Sequence, residues 1–468
     1  MIGWLWLGCR PPDPEPATHT TPPAPTPPDT TLEPPPGPLE VTGELTSDTT
    51  WSPSDASWIL VTGELVVPAG ITLEIGPATD VRFASRASIT VYGELVAVGT
   101  ESERIALRSD PLAPWEPDLH PSLPEGPPKW SGVQFVDTGS ERNRIAYADV
   151  TGAQTMDGSI GVFDAAATLD HLTISGTRLR SVYAERATVT VADSVFPTMF
   201  TEDDDPDVLG LDNEAEYVKA IGGIPAGGHF RIERNLFGVP KGHNDVIDVT
   251  GNTWPAEVVE IRGNVFEGGG DEGIDGGGDL LLDGNVFRAI VKDGDNHGSG
   301  DSNCLSTGDS STTVVVATRN LYLGVDHAAN LKRESFGYFE HNTIVGISPS
   351  RPSAPGDNPP RTLLSSAIRL VIPDPLDPLG APPRDVAGVG AWLDGNVLAG
   401  IPEVVFGNPD ENGSHGAWTS WLAVQNTLVE DAAVFANADG LHGRAFQYTV
   451  GAPVFDAEHH LAAGSPGV

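Results

Sequence analysis

The chain has 468 residues, with 26 Lys and Arg against 65 Asp and Glu, so its formal net charge is −39 at pH 7. Such a surface keeps a secreted protein soluble, repels nucleic acid and anionic membranes, and favours partners that bring cations. Gly (54) and Pro (42) are abundant and Met (3) is scarce, which suits strands and turns better than helices. No apolar run approaches the roughly 18 residues of a membrane-spanning helix.

The amino terminus predicts export. Residues 1–9, MIGWLWLGC, form a short apolar segment ending in Leu7-Gly8-Cys9, which resembles the lipobox of bacterial lipoproteins. Residues 11–38 contain 13 prolines among Thr, Asp and Glu, a composition that stays extended. We therefore expect a signal segment at 1–9 with lipidation of Cys9, then a disordered linker at 10–40. The protein would be secreted or a cell-surface lipoprotein of a bacterium; free secretion with a disordered tail is the alternative.

A short phrase, an Asn followed by an apolar or aromatic pair, recurs along the chain. Its asparagines are Asn235, Asn264, Asn285, Asn320, Asn342, Asn396 and Asn426. They are spaced 29, 21, 35, 22, 54 and 30 residues apart, so the shortest gaps set a unit of 21–22 residues. Recurrence at this period is typical of a solenoid, in which each coil stacks on the next. A buried Asn at one corner of each coil would bond its neighbours in a ladder.

The pattern between these phrases predicts strands. From about residue 41 the chain alternates apolar and polar residues, and the phrase V-x-G-E-L occurs at Val41–Leu45, Val61–Leu65 and Val91–Leu95. A sandwich would also alternate, but it would not place one polar residue at one phase of every unit. We therefore predict an all-β fold, a single right-handed parallel β-helix over 41–468. Loop insertions are expected near residues 110–130, 200–228 and 348–386.

Three segments carry a family resemblance. Trp51–Phe83, Ser88–Asp110 and KWSGVQF at 129–135 resemble the entry coils of bacterial right-handed parallel β-helix proteins with the pectin-lyase-like fold. The segment 449–468 is similar to their closing coils. The resemblance implies the fold but no single activity, because this fold hosts lyases, hydrolases, epimerases, adhesins and proteins with no known reaction.

Carboxylates recur at a comparable phase after successive ladder asparagines. They are Asp245, Asp248, Asp271, Asp275, Asp279, Asp293 and Asp295. Asp248 and Asp275 are 27 residues apart, one enlarged coil, and should stack because adjacent coils lie about 4.8 Å apart. Oxygen ligands in Gly-rich loops suit Ca²⁺, which takes about six to eight of them, so we expect Ca²⁺ at these residues. The alternative is that several of them only form turns.

The same edge carries the candidate catalytic bases. They are Lys292, His297, Lys332 and Arg333. A polyuronate lyase needs a cation to neutralise the substrate carboxylate and a nearby base to take the α-proton. A glycoside hydrolase would use paired Asp residues instead. Lys332 and Arg333 could also simply pair with the acids, and His297 could be a solvated loop residue.

These observations predict a protein with a cation-dependent site on one edge of the solenoid, which binds an acidic polysaccharide and, in the lyase hypothesis, cleaves it. The alternatives are a non-catalytic structural or adhesion protein of the cell envelope and a glycoside hydrolase. Similar phrases on consecutive coils of uncharacterised envelope β-helix proteins imply an arranged site but supply no reaction. The expected partner is a polysaccharide or envelope glycan, with no nucleic acid, membrane contact only through the lipid anchor, and a monomeric state.

Overall fold

The computed structural model describes most of the chain between residues 37 and 430. The described residues are 37–112, 129–177, 179–199, 215–240, 244–269, 271–291, 302–308, 313–332, 335–346, 351–352, 362–363, 366–371, 389–399, 401, 403–408 and 420–430. Within them the regular structure is strand, and no helix is long and apolar enough to cross a membrane. Cys9, most of the predicted linker and the predicted closing coil lie outside the described residues.

The chain winds as a right-handed parallel β-helix, which confirms the predicted fold class. Each coil contributes one strand to each of three parallel faces, which we name A, B and C. Faces A and B begin in common, from Leu39–Glu44 and Ile59–Val67. Two short strands, Arg351–Pro352 and Thr362–Leu363, form an antiparallel pair apart from the coil.

Face A continues through Asp80–Phe83, Ile105–Ser109, Ala148–Thr151, Thr173–Ser175, Val195–Phe196, Leu236–Phe237, Val265–Phe266, Val286–Arg288, Leu321–Val325, Thr343–Gly346, Val397–Ala399 and Leu428–Glu430. Face B continues through Ser88–Val91, Val133–Val136, Ile160–Phe163, Val182–Glu185, Val218–Ile221, Ile247–Thr250, Ile274–Gly277, Ser306–Thr307, His327–Lys332, Ser366–Val371 and Glu403–Asn408. Face C consists of Thr49–Trp51, Thr72–Ile75, Glu94–Val98, Arg144–Ala146, Ala166–Asp170, Thr188–Ala192, Phe230–Glu233, Val259–Arg262, Leu280–Asp283, Val314–Thr318, Phe336–Glu340, Val389–Asp394 and Ser420–Gln425.

The apolar and polar alternation of the sequence decides which side chains enter the coil. In Val259–Arg262 and Leu280–Asp283 every second residue is buried and the others are half-buried on the outside. Because successive side chains of a strand point to opposite faces, the apolar set fills one continuous core along the axis. The outward set is therefore available to form surface rows at the rung spacing of about 4.8 Å.

The recurrent Asn phrase forms two stacks along the coil, one of asparagine side chains and one of aromatic rings. Six asparagines form the ladder, in which the side-chain amide of each donates to Oδ1 of the next at 2.9–3.1 Å. They are Asn235, Asn264, Asn285, Asn320, Asn342 and Asn396. The aromatic residue two positions later points inward: the rings of Phe237, Phe266, Phe287 and Tyr322 stack with centroids 4.5–5.2 Å apart. One phrase thus satisfies buried polar groups and packs the core.

The residue before the ladder Asn adopts a left-handed backbone, which explains the glycines of the phrase. Gly263, Gly284 and Gly395 have φ of 64°, 66° and 64°. Arg234 occupies the same position with φ of 55°, and its guanidinium makes two hydrogen bonds of 2.8 Å to Asp193. The side-chain pairing helps to hold a conformation that costs a non-glycine residue free energy.

Asn426 does not join the ladder, which corrects the predicted seventh position. The strand register pairs Val397 with Leu428, so Thr427 lies opposite Asn396. Asn426 is exposed, and its side chain donates to Asp394 Oδ1 at 2.8 Å. The register offset of this coil exceeds the 30-residue spacing of the phrases by one, and one residue suffices to change the face that a side chain meets.

Two strands lie within ranges for which loops were predicted. Val218–Ile221 lies in the predicted loop at 200–228, and Ser366–Val371 lies in the one at 348–386. Both strands pair with their neighbours on face B. Much of the predicted loop near 110–130 lies outside the described residues. The extent of the three insertions stays a prediction.

We predict that Asn285→Ala destabilises the coil much more than Asn426→Ala. Asn285 accepts two hydrogen bonds from Asn264 and donates to Asn320 Oδ1 and to the Ile261 carbonyl, all buried. Each buried group left without a partner costs about 1–3 kcal/mol, whereas exposed substitutions usually stay within about 0.5 kcal/mol. Urea denaturation followed by circular dichroism measures both. Equal midpoints for the two variants would contradict the role of the ladder.

Candidate functional site

The outward residues of face B form a polar row along the coil axis. In register order they are Tyr183, Lys219, Asp248, Asp275, Ser306, Asn330 and Arg369. The row spans seven rungs, so its length is about 29 Å at the usual strand spacing. The predicted superposition of Asp248 and Asp275 is confirmed, because the two residues are register partners.

A second set of acids lies beside this row, where the chain turns from face A to face B. Glu216, Asp245 and Glu272 each lie two residues before the register-paired start of a face B strand. The backbone amide of Glu272 donates to Asp245 Oδ1 at 3.1 Å, which fixes these two rungs against each other. Only 9% of Asp245 and 7% of Glu272 is exposed.

The two sets converge in one carboxylate cluster, which we define as Asp245, Asp248, Asp271, Glu272 and Asp275. Carboxylate oxygens of Asp245, Asp248 and Asp275 lie within 4.8 Å of one another, and so do those of Asp245, Asp271 and Glu272. Five acids at such separations repel one another strongly in a partly buried site. The arrangement therefore favours either shared protons or a bound cation.

Basic residues pair with acids in and next to the cluster, on its upstream side. Arg180 Nε lies 3.1 Å from Glu216 Oε2, and Lys219 Nζ lies 3.7 Å from Glu216 Oε1. Lys219 also forms an ion pair with Asp248 across the rung. Arg180 and Lys219 thus offset part of the negative charge where the polar row enters the cluster.

Burial and mutual repulsion hold protons on the cluster. Burial raises the pKa of Asp245 well above its usual range, and the charge of Asp275 raises it further. Burial also raises the pKa of Glu272, with the charges of Asp245 and Asp271 adding to the effect and that of Lys332 opposing it. In the metal-free protein these carboxyls therefore keep protons at pH values where exposed acids have lost them.

Asp279 does not belong to the cluster, which corrects its predicted role as a ligand. Its side chain is buried, and the two carboxylate oxygens accept the backbone amides of Val314 and Trp254 at 2.7 Å each. Asp279 thus holds the turn between faces B and C, as a turn-forming aspartate does. The side chain of Trp254 is exposed at this turn.

Of the predicted catalytic residues, Lys332 falls within the described part of the chain. Its charge acts on Glu272, and its backbone amide donates to Thr307 Oγ1 at 2.8 Å. The other predicted site residues, Lys292, His297, Arg333, Asp293 and Asp295, lie outside the described residues. Their roles stay predictions.

The structure adds aromatic residues to the row that the sequence interpretation missed. The rings of Phe163 and Tyr183 lie next to each other on face B, with centroids 5.5 Å apart, and the Arg180 guanidinium lies 5.5 Å from the Tyr183 ring centre. Aligning the short face B phrases would have found Tyr183 and Lys219. Those phrases are VYAE at Val182–Glu185, VKAI at Val218–Ile221, IDVT at Ile247–Thr250 and IDGG at Ile274–Gly277.

A cleft of about 690 Å³ lies elsewhere, where the chain turns from face B to face C. It is lined in part by Glu141, Arg186 and His229, and it contains no member of the carboxylate cluster. Arg186 is paired with Asp164, and His229 Nε2 is 2.9 Å from Thr190 Oγ1. The polar groups of this cleft are thus largely occupied by one another.

Comparison with known proteins adds a likeness of fold. No protein-family model matches the sequence, and no curated protein matches it. The structure is similar to the periplasmic alginate epimerase AlgG, with 10% identity, a TM-score of 0.41, and coverage of 79% of this chain and 78% of that chain. A mutant tailspike protein of E. coli bacteriophage HK620, in complex with a hexasaccharide, gives 11% identity, a TM-score of 0.26 and coverage of 81% and 72%. A PL6 family polysaccharide lyase from Pseudopedobacter saltans gives 8% identity, a TM-score of 0.22, and coverage of 90% of this chain and 99% of that chain. At these values the function must be argued from the site itself.

We predict that the stability of a variant without the buried acids rises relative to that of the wild type as pH increases. The folded-state pKa of Asp245 and of Glu272 is raised, so their stabilising effect is present below the unfolded pKa of about 4 and is lost as pH rises. With chelator present, the double variant Asp245→Asn, Glu272→Gln should match or fall below the wild type near pH 4 and exceed it at pH 8. Thermal midpoints across this range measure the difference.

A control variant at Asp193 should show a pH dependence of stability with the opposite sign. Arg234 lowers the pKa of Asp193, so that carboxylate stabilises the protein above its unfolded pKa and loses the effect as pH falls. Asp193→Asn should therefore lie below the wild type by a nearly constant amount between pH 5 and 8, and the difference should shrink as pH falls below about 4. Parallel curves for the cluster variant and the wild type would show that the cluster acids titrate normally.

Proposed function

We propose that this protein binds an acidic polysaccharide along face B through a divalent cation, Ca²⁺ in preference, held by Asp245, Asp248 and Asp275. The observation that supports it best is the convergence of these three carboxylates, from two successive rungs, within 4.8 Å. A cation would relieve their repulsion and replace the shared protons. Three carboxylates leave several of the six to eight oxygen positions of Ca²⁺ for water and for a glycan carboxylate.

The shape of the row supports a polymer as the ligand. The half-buried outward residues Tyr183, Lys219, Asp248 and Asp275 follow one line over four rungs, which matches an extended chain better than a compact molecule. Tyr183 and Phe163 at one end offer aromatic surface to sugar rings, while Arg180 and Lys219 offer donors to carboxylates and hydroxyls. A row with this composition suits a glycan that carries acidic groups.

The cation would also prepare a uronate for elimination, because it neutralises the carboxylate next to the α-proton. Among the described residues, Lys219 is a base that pairs with the proposed ligand Asp248. Lys332 is a second base, and its charge acts on Glu272. In the lyase hypothesis Lys219 takes the α-proton once a substrate carboxylate displaces Asp248 from it, the electron pair forms a carbon–carbon double bond, and the bond to the glycosidic oxygen breaks as that oxygen takes a proton from water.

Hydrolysis is the second candidate, favoured by a separate observation. Asp245 and Glu272 are buried with raised pKa values, as a general acid requires, and their oxygens lie within 4.8 Å of each other. Retaining glycosidases keep their two carboxyl groups about 5–5.5 Å apart. On this hypothesis one of the two carboxyls protonates the leaving oxygen as the glycosidic bond breaks, the other, ionised, bonds to the anomeric carbon, and water then releases the sugar, so no cation is needed.

We predict that chelator lowers the thermal midpoint of the wild type and that Ca²⁺ restores it. A ligand at 100 times its Kd stabilises the folded state by about 2.7 kcal/mol. Asp248→Asn should abolish most of the response, because it removes a ligand, whereas Asp164→Asn, a surface acid paired with Arg186 outside the cluster, should respond like the wild type. An unchanged midpoint, with no metal found by elemental analysis, would remove the cation from the account.

We also predict retardation of the protein in gels that contain a polyuronate, such as polygalacturonate or alginate. Retardation should need Ca²⁺ and should be weak in gels of a neutral glucan, because the cation bridges two sets of carboxylates.

The same polymers serve as substrates in a turnover assay. Unsaturated product absorbing in the ultraviolet that disappears in Lys219→Ala but not in Lys129→Ala supports the lyase hypothesis. Reducing ends without that product, lost in Glu272→Gln, support the hydrolase, and retardation without either product supports a binding protein.

A further inference from the structure

Beyond the carboxylate cluster, the polar row continues over the next two rungs with neutral oxygen groups. Asn303 follows Glu272 in register at the turn, and Ser306 and Asn330 follow Asp275 in the polar row. These three residues are more deeply buried than the acids, with 1%, 0% and 5% of their surface exposed. A buried polar residue is normally satisfied by a hydrogen bond.

Three oxygen atoms here make no hydrogen bond in the described structure: Asn303 Oδ1, Ser306 Oγ and Asn330 Oδ1. The orientation of Asn303 is fixed, because its Nδ2 donates to Glu272 Oε1 at 3.3 Å and so its Oδ1 must point away from that acid. The register thus places Ser306 and Asn330 on adjacent rungs, with Asn303 three residues before Ser306, and each of the three has a buried oxygen that lacks a partner. Leaving such atoms without a ligand is costly.

The chemistry of these atoms limits the occupant. An amide oxygen can accept a hydrogen bond or bind a cation but cannot donate. A serine hydroxyl can do both of these and can also donate a hydrogen bond. A sugar ring would need exposed surface, which these residues do not offer. A small hard cation fits, because it takes oxygen ligands of mixed charge, and Asp275 in the adjacent position supplies negative charge.

We propose that face B binds a second divalent cation, held by Asn303 Oδ1, Ser306 Oγ, Asn330 Oδ1 and the Asp275 carboxylate. The proposal rests on the proposed function, since Asp275 is shared with the first cation. Because the residues that hold it are buried, the second cation would stabilise the folded coil next to the first cation and would not itself contact a sugar.

The test is the number of Ca²⁺ ions bound per chain, measured on metal-free protein by isothermal titration and, after equilibrium dialysis, by elemental analysis. We expect two for the wild type. Ser306→Ala and Asn330→Ser should bind one ion, or bind the second about tenfold or more weakly. Ser181→Ala is the matched control, because Ser181 is also a fully buried serine with an unpaired hydroxyl; it directly precedes the face B strand Val182–Glu185, several rungs away. It should bind two.

The outcomes separate this inference from the proposed function. One ion in the wild type, unchanged in Ser306→Ala, would overturn the second cation and leave the first in place. No ion at all would overturn both. Asp248→Asn should retain the second ion, which shows that the two sites are distinct. If the Ser306 and Asn330 variants fail to fold by circular dichroism, the stoichiometry of the wild type decides.

Discussion

In-register pairing of parallel strands is the constraint from which the site follows. Because each residue on face B lies one strand spacing from its partner on the next coil, any side chain repeated at one phase becomes a row. Asp248 over Asp275 is one instance, and the asparagine ladder is another. The same geometry that satisfies buried amides in the ladder brings carboxylates into contact, where they repel.

The asparagine ladder and the apolar core stabilise the coil enough to offset the repulsion between these carboxylates. The stacked rings of Phe266, Phe287 and Tyr322 and the paired asparagines hold the rungs in register independently of the acids. Destabilising charge can then be concentrated on one face, a pattern typical of functional sites, where local strain is compensated elsewhere. The buried acids Asp245 and Glu272 are the clearest case, since a fold without such support would be expected to exclude them.

The sequence alone predicted the coil and the central pair of acids, because both depend on a simple period. Asp248 and Asp275 follow directly from spacing. Lys219 was missed because its coil is longer than the repeat unit, so sequence spacing does not show that Lys219 lies in the same row as Asp248. The strand register shows this. Asn426 and Asp279 were misplaced for local reasons: a one-residue change in coil length and a turn that uses both carboxylate oxygens. Periodicity determines rows, whereas contacts within a rung depend on how each turn folds.

The most direct test of a shared cation is a double-mutant cycle on Ca²⁺ binding with Asp248→Asn and Asp275→Asn. If both carboxylates hold one ion, the first substitution removes most of the affinity and the second adds little, so the two effects are strongly non-additive. Residues that do not interact give effects that add within about 0.5 kcal/mol. Additive losses, or unchanged Ca²⁺ affinity in both single variants, would contradict the account.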